Sequence, residues 1–284
     1  MGVHSGKFGV VSGQGSVQDW SIVDASSPVP HVSSASQGGR GRLAGVREWT
    51  GSFKRLGSTP IVMPGDLVAF VGYTAPVDDV LGSNGVKYSG NALIKQLQAT
   101  WNWKTGDPIM HSVDFEGDGA LTVAEGAAIS DASAAPDAVS PFPCKIEYGA
   151  DVAVSPTVWA NIVQAVLTLT CDVQEFTNSS TVVAGEQWKG RRAGNIDWNL
   201  AVTVEDDVRA SRPLISANTQ LRVYTDADSF WQLIWGHVKD YTNLSVSPET
   251  GAILSHVVNI EMSGFVGGAA GSVTLPDAGS AWWP

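Results

Sequence analysis

Two cysteines, Cys144 and Cys171, are all that 284 residues hold. That is too few for a disulfide scaffold or a cysteine-rich zinc site, and both are expected as buried free thiols. Cations are scarce as well: 17 Lys and Arg stand against 28 Asp and Glu, a formal charge of −11. Tight nucleic-acid binding needs clustered cations, so that class is excluded; a wall that nucleic acid slides past is compatible with this charge. No stretch approaches the ~18 apolar residues of a membrane span, and Met1-Gly2-Val3-His4-Ser5-Gly6-Lys7 has no apolar leader core. No membrane is expected as a partner, and the chain is expected to be made and kept in a cytoplasm. The histidines (His4, His31, His111, His237 and His256) are scattered without metal-ligand spacing. Neither a Gly-x-Ser-x-Gly turn nor a phosphate-binding loop occurs. The expectation is a protein that is not an enzyme, with no catalytic, cofactor-binding or metal residues and no cofactor.

What the chain does have is 31 Gly, 11 Trp and many short runs of Val, Ile, Thr and aromatics bounded by Gly, Pro, Asn and Asp, the mark of strands. Such runs are 67–73, 93–103, 162–173, 198–204, 221–224 and 257–262. Leu93, Leu97, Trp101 and Trp103 share a parity, as do Trp231, Leu233, Trp235 and His237, which fits sheets with one apolar face. Helix is expected only as a turn or two near Ala124 to Ala132, with a second stretch near Asp226 to Leu233 that also reads as strand. The fold class is therefore mainly β with little helix. At ~100–200 residues per domain the length suggests two modules. Ser130 to Pro143, rich in Ala, Ser, Asp and Pro, has linker composition, dividing the chain into 1–140 and 141–284.

An internal repeat supports the division. Arg42-Leu43-Ala44-Gly45-Val46-Arg47-Glu48-Trp49 aligns with Arg191-Arg192-Ala193-Gly194-Asn195-Ile196-Asp197-Trp198, with Arg, Ala, Gly and Trp matched and an acid before each Trp. Each octet runs into a strand. Order is kept downstream through a Pro-containing loop (Pro60 and Pro64; Pro213), a strand, a Trp-bearing strand, a turn (Thr105 to Pro108; Pro248 to Gly251) and a last strand. There His111-Ser112-Val113-Asp114-Phe115 parallels His256-Val257-Val258-Asn259-Ile260. Gly suits a close approach before the strand and Trp a core anchor. The acid beside Trp is expected on the opposite face, toward the repeated Arg. The competing reading makes Arg42 and Arg191 anion ligands, though such pairs are commonly structural. His111 and His256 are expected in packing or hydrogen bonding.

A duplicated β module with a Gly-x-x-acid-Trp lead-in to a strand and a long closing hairpin resembles the tail-tube proteins of tailed bacteriophages, over about Val17 to Leu121 and Ile162 to Val273. The resemblance implies two tandem β-sandwich or barrel modules per chain and a homotrimer acting as a pseudo-sixfold ring. Edge strands would pair across subunits, rings would stack, and DNA would pass through without sequence-specific binding. It implies a structural virion protein of a phage tail, assembled in the bacterial cytoplasm with other tail or baseplate proteins. Gly2 to Gly15 and Ser26 to Gly41 would be inter-ring contacts that order on assembly. A baseplate hub, distal-tail or connector protein with the same module is the nearest alternative.

Two further patterns compete. Asp114 to Glu125 places oxygen ligands and Gly as a calcium-binding EF-hand loop does. The incoming helix is missing, since 109–115 reads as strand, and Glu116 stands where Asp or Asn is usual; carboxylates on a solvated strand end are the plainer reading. Exposed aromatics on a β-sandwich also suit a carbohydrate-binding protein, but Trp49, Trp101, Trp103, Trp198, Trp231 and Trp235 occupy strand positions, where core or interface is expected. Trp282 and Trp283 are expected to dock on a neighbouring subunit or on their own module.

Overall fold

The computed structural model describes residues 4–10, 17–31, 41–57, 60, 62–76, 85–127, 139–150, 154–205, 218–225, 230–245, 255–262 and 273–274. Strands account for nearly all of them. In chain order they are β1 (His4–Val10), β2 (Val17–His31), β3 (Gly41–Leu56), β4 (Leu67–Pro76), β5 (Gly85–Asn102) and β6 (Asp107–Ala127). There follow β7 (Ile146–Gly149), β8 (Thr157–Val158), β9 (Ile162–Phe176), β10 (Val182–Val183), β11 (Glu186–Gln187) and β12 (Gly190–Glu205). The last are β13 (Asn218–Tyr224), β14 (Phe230–Ser245), β15 (Ser255–Met262) and β16 (Val273–Thr274). Among the described residues one 3-10 turn, Ser179–Thr181, interrupts them. The mainly β expectation holds; five of the six expected strand runs lie wholly in strands, and the sixth, 93–103, leaves its strand at Asn102, so that Trp103 stands in the turn before β6 and not at a strand position.

Fourteen strands form one antiparallel sheet, with path β2-β3-β6-β5-β9-β12-β15-β14-β13-β7-β8; β4 pairs with β5 and β1, and β16 with β14. The sheet contains the same order of strands twice. The first run is β2-β3-β6-β5-β4-β1 and the second β9-β12-β15-β14-β13-β7. Registers agree as well. Thr50 stands opposite Glu116 and Phe53 opposite Val113 in β3 and β6; Asn199 stands opposite Glu261 and Val202 opposite Val258 in β12 and β15. The shifts that convert one set into the other are those of the sequence anchors, from 49 to 198 and from 111 to 256. Asp24 opposite Trp49 likewise becomes Leu169 opposite Trp198. Even the irregularities recur: Lys95 is the extra residue of a bulge in β5 and Lys239 of one in β14. Each reaches a carboxylate on the strand across, Glu116 at 2.9 Å and Glu261 at 2.5 Å.

The buried apolar side chains of both runs join one hydrophobic core. In the first, Trp20 of β2 meets Phe70 and Tyr88 edge-on, and Trp49 of β3 lies 5.5 Å from Phe70, ring to ring. Trp49, Trp101, Trp198 and Trp231 are buried, as are the free thiols of Cys144 and Cys171. Burial raises the Cys171 pKa.

Several expectations need correction. Ala124 to Ala127 are not helical; they extend β6, held by pairing with β5 (Lys87 opposite Ala124). Phe230 to Leu233 likewise belong to β14. The shared parity from Trp231 to His237 breaks: Trp231 and Leu233 are buried, but so are Gly236 and Val238, while His237 is half-exposed. Within Gly2 to Gly15, His4–Val10 form β1, paired with β4 of the same chain. Ser26 to His31 are already strand; 32–40, 128–138, Pro213, Pro248 to Gly251, Trp282, Trp283 and the side chain of Trp235 lie outside the described residues. Of the expected linker, Val139 accepts the Ile109 N–H at 2.9 Å through its carbonyl, and Pro141 is buried.

Candidate assembly surface

The two runs of strands meet where β5 pairs with β9, from Gln96 opposite Thr170 to Asn102 opposite Gln164. Both strands carry alternating apolar side chains there: Leu97, Ala99 and Trp101 from one, Ala165, Leu167 and Leu169 from the other, all buried. Full burial of such side chains contributes about 1.5–3 kcal/mol each for the larger ones, so the junction is a continuation of the core. On the polar side Gln98 Nε2 points to Thr168 Oγ1 at 3.4 Å.

Beside this seam lies a charge cluster centred on Arg191. Its side chain is 1% exposed. Nε donates to Glu116 at 2.7 Å, Nη2 to Glu48 at 3.2 Å and to Glu175 at 3.3 Å, and Nη1 to the Gly117 carbonyl. The Arg191 backbone N–H donates to Asp118 Oδ1 at 2.7 Å. Lys189 bridges Glu48 at 2.6 Å and Glu175 at 2.8 Å. The Lys189 ammonium, hydrogen-bonded to Glu175, holds that carboxyl below its ordinary range, and Glu175 and Glu48 together raise the Lys189 pKa. Glu48, Glu116 and Asp118 come from the first run, Glu175, Lys189 and Arg191 from the second, so the cluster latches one to the other.

The latch revises three sequence expectations. Arg191 is no anion-ligand site, because protein carboxylates and a carbonyl already occupy its donors. Glu48 does face a repeated Arg, and it is Arg191, the Arg of the other octet. The signal was present in the sequence, since both Arg and acid recur at one spacing, yet spacing alone does not say which acid meets which Arg. The stretch Asp114 to Glu125 lies within β6, bulged at Gly119 where φ is +82°, with Glu116 and Asp118 committed to Arg191. Among the described residues no group of three or more His, Cys, Asp or Glu is arranged to hold a metal ion.

A second contact escaped the sequence reading. The segment between β9 and β12 crosses onto β3: Arg47 pairs with Glu186 at 2.5 Å, also with Asp24, and lies 4.4 Å over the ring of buried Trp188. The Lys189 N–H donates to the Arg47 carbonyl at 3.0 Å.

His111 and His256 are both 1% exposed and sit at corresponding places, His111 opposite Arg55 and His256 opposite Val204. The His256 ring meets Tyr241 edge-on, a packing role. Neither ring nitrogen of His111 has a hydrogen-bond partner, and burial, aided by Arg55, lowers its pKa from 6.5 to about 3. Folded His111 therefore stays neutral while the unfolded chain takes up a proton below 6.5. Stability from this group is fully present above pH 6.5 and is lost as pH falls toward 3. From pH 6.5 to pH 5 the loss is about 2 kcal/mol. Urea unfolding at pH 8 and pH 5 should show a smaller difference in His111→Leu than in the unsubstituted chain; equal differences would exclude this origin.

The seam, the latch and the repeated order define a mainly β protein organised around strand edges. No family model matches the chain, and no curated protein matches it.

Proposed function

We propose that the chain is a structural subunit with a duplicated β module that assembles edge to edge with copies of itself, as the tail-tube subunit of a bacteriophage tail does. The observation that carries this reading is the repeated strand order, joined once inside the chain through β5 and β9, with no described strand on the corresponding outer edges. A contact between unlike edges is heterologous, and a heterologous contact closes into a ring or winds into a filament. With two modules per chain, three chains make a pseudo-sixfold ring, and stacked rings make a conduit. The net charge of −11 supports passage of DNA without capture, because an acidic wall repels phosphate. On this reading the protein works in the virion tail, is assembled in the bacterial cytoplasm and meets other tail or baseplate proteins. Negative-stain microscopy at raised concentration should show rings or tubes with a central hole. Persistent monomers by light scattering would overturn the proposal; single rings that never stack would move it to a hub or connector.

A further inference from the structure

The internal seam prescribes the external one. β5 has β6 on one side; on the other, β4 covers its first part and β9 covers Gln96 to Asn102. The corresponding β14 has β15 on one side and β13 beside its first part. Among the described residues no strand pairs with Asp240–Ser245 on the side where β9 covers β5. Similarly β9 lies between β12 and β5, whereas the corresponding β2 has β3 on one side and no described strand on the other. A cavity of about 610 Å³ opens beside β2. Trp20, Ser21 and Ile22 of β2 line it with Leu121 and Val123 of β6.

The charges follow the same rule. Arg191 is satisfied by Glu48 and Glu116 of the preceding run. Its counterpart Arg42 is exposed and has no ion pair among the described residues. The counterparts of Glu48 and Glu116 are Asp197, exposed and bonded only to its neighbouring Trp198 N–H, and Glu261, 45% exposed. One Arg–carboxylate latch is closed within the chain, and the parts of a second are left at its two ends.

We propose that Asp240–Ser245 of one copy pairs antiparallel with β2 of a second copy, Thr242 opposite Val23, placing Arg42 of the second copy against Asp197 and Glu261 of the first. This register transfers the pair Gln98 and Thr168, whose side chains already touch. The partner is a second copy of this chain because the internal seam already pairs the counterparts of these two edges and the parts of the second latch match in charge. The inference rests on the self-assembling reading above and adds which edges meet and in what register.

The test is a full-length chain carrying Val23→Cys and Thr242→Cys, both exposed positions, oxidised at raised concentration and run on a denaturing gel without reductant. Expected is a ladder of covalent oligomers, absent from either single variant and from Val23→Cys combined with Asp240→Cys, which is two residues out of register. Adding Arg42→Glu should lower the cross-linked fraction about tenfold, and further adding Asp197→Arg and Glu261→Arg should restore it. Rings in the microscope without a ladder would overturn this register while leaving the ring reading intact. A ladder without rings would support the register and count against the tube. Cross-linking of Val23→Cys alone would mean that β2 pairs with itself, and would overturn the proposal.

Discussion

Replacing Arg191 by Leu should destabilise the chain by about 3–5 kcal/mol, the cost of removing one partner from a buried ionic cluster. The guanidinium is 1% exposed and serves Glu116, Glu48, Glu175 and the Gly117 carbonyl. Leucine fills part of the volume and satisfies none of them. Glu116 is left 14% exposed with Lys95 as its remaining cation, and the Gly117 carbonyl loses a donor in a closed space, which alone costs about 1–3 kcal/mol. Arg191→Lys keeps the charge but not the planar fork, so it should recover less than half of the loss. Since the cluster spans the two runs of strands, the unfolding transition should also broaden as the runs begin to separate independently. The measurement is urea unfolding followed by tryptophan fluorescence. The exposed pair Lys54 and Asp19, 3.5 Å apart, is the control: Lys54→Ala should cost under about 1 kcal/mol. Equal effects at the two sites would mean that the cluster adds nothing beyond surface charge.

The latch also marks the limit of what the sequence disclosed. Strands were legible because alternating burial leaves a period-two trace, and β9 follows it from Ala165 to Cys171 without a break. The trace fails where the backbone slips. Lys95 and Lys239 are bulged residues, and a bulge reverses which parity faces inward without changing composition. Ala124 to Ala127 have helix-favouring Ala and Glu, but the pairing partner on β5 lies far away in sequence and overrides local preference. β1 was hidden for the opposite reason. Ser5-Gly6-Lys7 offers little to bury, and what holds it is the open backbone of β4. The octets announced that Arg and acid matter, but a comparison of the two octets shows what is alike; contact between them is a property of how the two runs of strands are joined. Nothing in a linear repeat distinguishes Arg42, left exposed, from Arg191, buried.

Gly117→Ala should cost about 3 kcal/mol, and the loss should nearly vanish when Trp49 is shortened. The Trp49 indole is fully buried, with Nε1–H donating to the Gly119 carbonyl at 3.0 Å. It lies against two glycines: a Cβ built on Gly117 would sit 2.1 Å from Trp49 Nε1 and Cε2, and one on Gly90 2.7 Å from Cζ2. A ring packed against Phe70 and Phe115 has nowhere to retreat, so overpacking is relieved only by moving strands. Trp49→Leu alone should cost about 3 kcal/mol through the cavity it opens. The double substitution should cost less than the sum by about 2 kcal/mol, because the added methyl enters space the indole has vacated. Additive losses would mean that Gly117 is needed for its backbone and not for the ring. Trp198 is also seated against a glycine, though at a different place in its run: its Cη2 lies 3.0 Å from a Cβ built on Gly236. At both anchors the tryptophan is seated against a glycine of another strand, so a side chain added there has to displace the ring or the strands around it.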